Sequence, residues 1–185
     1  IGDDVTDHMS NDTVLFDYGG RRIDEVGQPL VGANAYLGID ALIPAVETGA
    51  DVVITGRVAD PSLYLAPLVQ HFGWARDDWQ RLGQGTLIGH LMECGMQITG
   101  GYFADPGYKD VPRPADIGYP IAHVSDNGDV VVSKLAGTGG VVSPATVKEQ
   151  IFYEIHDPAR YLTPDVTADF SGVQLSEIAA DQVRV

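Results

Sequence analysis

The run "DVVIT", Asp51 to Thr55, constrains the fold more than any other stretch of the chain. Four consecutive β-branched residues resist helix and suit the pleated surface of a sheet. With no polar residue alternating among them, the pattern predicts a central strand covered on both faces, the habit of parallel sheets. Gly49 ends a preceding helix on which Leu37, Ala41, Ala45 and Val46 recur at helical spacing, with Pro44 marking its start or a kink. After the run comes Gly56-Arg57. A second helix follows, with Asp60 or Ser62 as cap, Pro61 in its first turn, and Leu63, Leu65, Leu68 and Val69 along it.

Further along, Leu87, Leu91, Cys94 and Ile98 form one apolar stripe of a helix over about Gln84 to Ile98. Trp74 and Trp79 are expected to face inward. Ser143 and Pro144 open a last helix carrying Val147, Ile151 and Ile155. "TVLFDYGGRRI" reads as a hairpin turning at Gly19-Gly20, and residues 120–134 as one turning at Asn127-Gly128. The expected architecture is α/β: a mixed, mostly parallel sheet flanked by helices, with an antiparallel hairpin near residues 120–134. Residues 1–185 read as one α/β domain with a seam in the Gly- and Pro-rich stretch 99–120. A first residue Ile1 and a last stretch resembling a strand cut short suggest a fragment of a longer chain.

Charge narrows the partners. A net charge of −15, with no Lys/Arg cluster, argues against nucleic acid and against an anionic membrane surface. A small anion is still accommodated, because one local cation outweighs a field screened over about 8 Å. One cysteine, Cys94, permits no disulfide within the chain and no multi-cysteine zinc site, which fits a reducing cytoplasm.

Three places bear chemistry. Gly56, Arg57, Asp60 and Ser62 follow the "DVVIT" run, where ligands gather at the carboxyl ends of strands. Arg57 either grips a carboxylate or phosphate or pairs with Asp60 to pin the loop. Lys134, Gly137, Thr138, Gly139, Gly140 and Ser143 form a Gly-rich turn before a helix start, either an anion cradle or a tight turn. His90, Glu93 and Cys94 share one helix face, as an acid/base pair, a nucleophile pair or core packing. Gly85, Gly89 and Gly95 on that helix allow another element to approach closely.

These motifs also carry a resemblance. "GADVVITGRVADPSL", "GHLMECGMQITGGYFADPG", "GYPIAHV", "GTGGVVSPATVKEQIFYEIHDP" and "YLTPDVTADF" resemble the AtuA family, the acyclic terpene utilisation proteins, over roughly residues 31 to 185. The resemblance implies a bacterial, cytoplasmic role in breakdown of branched acids or their coenzyme A thioesters. It implies no reaction and no residue set. The working expectation is an enzyme or enzyme subunit of lyase or hydratase type, without a bound metal. Arg57 and the 137–140 loop would hold anionic groups, and Asp60, His90 or Glu93 would move the proton. Coenzyme A would enter only as part of the substrate, and a homo-oligomer or partner subunit is expected. The alternatives are a non-catalytic assembly subunit and a metal-assisted hydrolase using His90, Glu93 and Asp60.

Overall fold

The computed structural model describes residues 5–10, 12–15 and 20–185. Its spine is α4, Trp79–Met92, capped by the Asp78 carboxylate, which accepts the Arg81 N–H at 3.1 Å. The N-terminal half of α4 packs with α2 (Ile39–Glu47) and α3 (Ser62–Phe72) around Ile39, Leu42, Leu65, Val69, Trp74 and Leu82. Its C-terminal half packs with α5 (Pro144–Phe152) and a sheet around Leu87, Leu91, Val132, Val147, Ile151 and Val183. Each such apolar side chain contributes roughly 1.5–3 kcal/mol by leaving water. Trp79, expected inside, is exposed at the first position of α4, whereas Trp74 is buried and donates its indole N–H to the Asp126 carbonyl.

The sheet corrects the expected fold class. Its four strands run in the order β3-β4-β8-β7, and every pairing is antiparallel. These strands are β3 (Pro120–Val124), β4 (Val130–Lys134), β7 (Ser176–Ala179) and β8 (Gln182–Arg184). The short pairs β1–β2 (Val14–Leu15, Arg21–Arg22) and β5–β6 (Tyr161–Leu162, Thr167–Ala168) are antiparallel too. The reason lies in the connections. Residues 125–129 and 180–181 are far too short for the crossover that parallel neighbours need. Among the described residues, parallel pairing is confined to two single bridges, Leu37↔Val58 and Ile117↔Gly139.

The "DVVIT" run is not a strand. Asp51 to Thr55 carries no regular structure and is unpaired, with Val52 75% and Ile54 91% exposed. Among the described residues no second strand lies beside it to form a ladder, so strong β-propensity yields no strand. The hairpin at 120–134 forms as expected, with Gly128 in its turn at φ +81°. The first hairpin also forms between β1 and β2, while Gly19 of its expected turn lies outside the described residues. The stretch 99–120 folds into successive turns, joined to α5 by the Lys109–Glu149 ion pair at 2.9 Å.

Candidate functional site

The site assembles where α3 begins and α4 and α5 end. Gly89 makes the first contact possible. A Cβ there would strike the Pro61 backbone, 2.5 Å from its carbonyl oxygen, so glycine lets the start of α3 rest against α4. This close approach draws Asp60 toward the last turn of α4, where His90 and Glu93 lie one turn apart.

His90 is 1% exposed. Its Nε2 lies 3.0 Å from the Gln150 carbonyl and 3.2 Å from that of Ile151, in the last turn of α5. A carbonyl oxygen only accepts, so Nε2 carries a hydrogen and donates to both, sharing the Gln150 carbonyl with the Tyr153 N–H. Nδ1 lies 3.2 Å from Glu93 Oε1, near enough for an ion pair but not aligned as a hydrogen bond. The Gln150 amide returns a bond to the His90 carbonyl at 3.3 Å, locking the two helices together. His90 cannot touch a ligand; Glu93, at 10% side-chain exposure, is the member of the pair that can.

Aromatic and acidic groups surround them. Tyr161 packs its ring on His90, with centroids 5.2 Å apart, and on Phe170 at 5.3 Å. Burial, then the charges of Glu93, Asp60 and Glu154, push the Tyr161 phenol well above its ordinary range. Tyr64, which donates to the Met92 carbonyl at 3.2 Å, is pushed up by burial and then by Glu93. Burial and Glu93 also raise the Cys94 thiol, outweighing a hydrogen bond from Gln150. Cys94 thus stays a thiol, the wrong state for a nucleophile. Glu154 takes a left-handed backbone at φ +57°, a costly conformation for a residue with a Cβ. Among the described residues no group of three His, Cys, Asp or Glu is arranged to hold a metal ion.

The expected anion-binding residues lie outside the His90–Glu93 cluster. Arg57 is exposed and stacks over the Tyr36 ring at 5.8 Å, while Gly56 beside it lies in a bend after the unpaired segment. Ser62 is fully buried and donates to Asp165 Oδ2 at 2.5 Å. Asp165 Oδ1 accepts the Ile39 N–H at 2.7 Å, capping α2 from a distant part of the chain. Neither Asp60 nor Ser62 caps α3. Lys134 is 7% exposed in its side chain; it donates to the Thr138 carbonyl at 3.0 Å and pairs with Asp181 at 3.4 Å. The Gly139 and Gly140 N–H groups are donated to the carbonyls of Asp116 and Pro112, and Thr138 bonds the Leu135 carbonyl. The Gly137 carbonyl accepts from Arg113, and Ser143 caps α5. The loop's donors are thus turned inward, holding residues 112–118 against β4.

Sequence reading singled out Asp60, His90, Glu93 and Cys94 but missed Tyr161, Tyr64, Gln150 and Asp165. Nothing local marks these four, because each acts on a segment distant in the chain.

Two grooves flank α5. One of about 420 Å³ is lined by Tyr102, Phe103, Lys109, Lys148, Tyr153 and Glu154. The other, about 640 Å³, is mostly apolar, with Ile151, Phe152, Phe170, Val173 and Leu175 along it and Lys148 at its edge. No helix among the described residues is long and apolar enough to cross a membrane.

Comparison with curated proteins and with solved structures gives no match. The family model described as "Acyclic terpene utilisation family protein AtuA" matches residues 1–185, the whole chain. Such membership suggests a role in acyclic terpene utilisation. On that match, the chain belongs to the AtuA family.

Proposed function

We propose that this chain is an enzyme, or a subunit of one, that moves a proton on a branched carboxylate or its coenzyme A thioester during acyclic terpene breakdown. The observation that carries the reading is Glu93, a nearly buried carboxylate backed by His90 at 3.2 Å. Buried pairs of this kind hold a proton at a fixed place and release it along one path. Glu93 is the proton-moving group, His90 positions it, and Asp60 supplies a second carboxylate at the mouth. Lyase or hydratase chemistry needs such a group, because it removes or returns a proton at carbon.

The grooves beside α5 suit the rest of the substrate. The apolar one takes a branched hydrocarbon, and Lys148, shared by both, stands where a phosphate or carboxylate would need a cation. Arg57, three residues before Asp60, is proposed as a second anchor. The reading places the protein in a bacterial cytoplasm, where acyl thioesters are made.

A thermal-shift titration with 3-methylbutanoyl-CoA and the free acid tests this. The thioester raises the midpoint in proportion to occupancy, since a ligand that binds only the folded state stabilises it. Lys148→Ala and Arg57→Ala each weaken the shift, while Glu93→Gln leaves it largely intact and abolishes turnover. A midpoint unmoved by either compound rejects the reading.

A further inference from the structure

We infer that Tyr161 is the hydrogen-bond donor that completes the site, and that the step it serves is removal of a proton from the carbon next to a thioester carbonyl. The inference rests on the acyl thioester reading above and names its chemistry.

The Tyr161 ring is fixed between His90 and Phe170, and its strand, β5, is paired with β6. It is therefore a held group rather than a swinging one. Its hydroxyl has no hydrogen-bond partner among the described residues, and it is not sealed from solvent. By contrast, the neighbouring Tyr64 hydroxyl is occupied by the Met92 carbonyl. A phenol held rigidly beside carboxylates, with its O–H uncommitted, is built to meet an oxygen from outside. Burial and the surrounding negative charges keep that phenol protonated, so it donates rather than accepts.

The chemistry follows from the pair. A carboxylate alone is a weak base for a C–H bond. It becomes competent when a donor meets the negative charge that develops on the adjacent carbonyl oxygen. The Glu93 carboxylate takes the proton from the α-carbon. The C–H electron pair becomes a C=C bond, and the carbonyl π pair moves to oxygen. Tyr161 hydrogen-bonds that oxygen and keeps its own proton. Return of the proton regenerates the thioester, and no oxidant or reductant is needed. A bound acyl thioester in heavy water should therefore exchange its α-hydrogens even when no onward reaction occurs.

The test is the loss of the C2 hydrogen signal of 3-methylbutanoyl-CoA in heavy water, followed by proton NMR. The account predicts exchange by the wild-type chain and a roughly 10²-fold or greater slowing in Tyr161→Phe, the typical cost of losing one oxyanion donor. Phenylalanine retains the ring packing, so an unchanged thermal midpoint shows the loss is chemical. Exchange in Tyr161→Phe at the wild-type rate would overturn the role of Tyr161. Wild-type protein that gains a thioester-dependent rise in midpoint but exchanges nothing would overturn the enolisation step and leave the broader reading standing. No midpoint rise and no exchange would remove both.

Discussion

Two runs of this chain are almost the same five residues: Asp51-Val52-Val53-Ile54-Thr55 and Asp129-Val130-Val131-Val132-Ser133. Each is followed by a cation, Arg57 in one case and Lys134 in the other. The second run is β4, an inner strand with β3 on one side and β8 on the other, and Val130 and Val132 are buried. The first has no regular structure, is unpaired and is exposed. Their cations diverge in the same way: Lys134 is buried against Asp181, while Arg57 lies on the surface over Tyr36. The difference teaches that a β-branched run is not a strand by itself, because a strand also requires a neighbour to complete its ladder. β4 has an Asn-Gly hairpin that folds β3 onto it, and a later hairpin that brings β8. Nothing comparable flanks residues 51–55.

Paired substitutions sharpen the contrast most. Val132→Asp places a charge at a fully buried position and should cost several kcal/mol, on the order of the chain's whole stability. Ile54→Asp, at a position 91% exposed, should change stability by no more than about 0.5 kcal/mol. Urea unfolding of the two variants measures both. Comparable losses would mean that the first run is packed as tightly as the second.

A smaller effect concerns pH. The core that β4 joins also holds Tyr64 and Tyr161 at its edge, and both phenols are shifted up by burial and then by Glu93. A phenol whose folded pKa lies above its unfolded value near 10 binds more protons folded than unfolded in that window. Its contribution is complete below about pH 10 and is lost as pH rises through the folded value. Stability should therefore decline above about pH 10, with phenolate absorbance from these two residues appearing late. Glu93→Gln removes the Glu93 part of the shift and leaves the burial part, so both onsets should move earlier.

What was legible in the sequence was local. Ser143-Pro144 opened α5 as expected, Asn127-Gly128 turned the hairpin, and Gly89 admitted a close neighbour. His90 and Glu93 could be placed together because one helical turn joins them. What was not legible was long-range. The His90 ring finds its carbonyls on α5, 60 and 61 residues away, and Ser62 finds Asp165 103 residues away. Tyr161 reaches the site through the β5–β6 pair, whose two-residue strands carry too little pattern to announce a partner. The fold class failed for the same reason. Whether a β-branched run pairs parallel, antiparallel or not at all depends on which segments arrive beside it, and composition does not encode arrival.

Hydrogen–deuterium exchange resolved along the backbone tests the contrast most directly. The account predicts strong protection of the β4 amides over residues 130–134, which exchange only when the sheet opens, and rapid exchange over residues 52–56, where no ladder forms. Protection of residues 52–56 matching that of β4 would contradict it, and would mean that the first run is a paired strand after all.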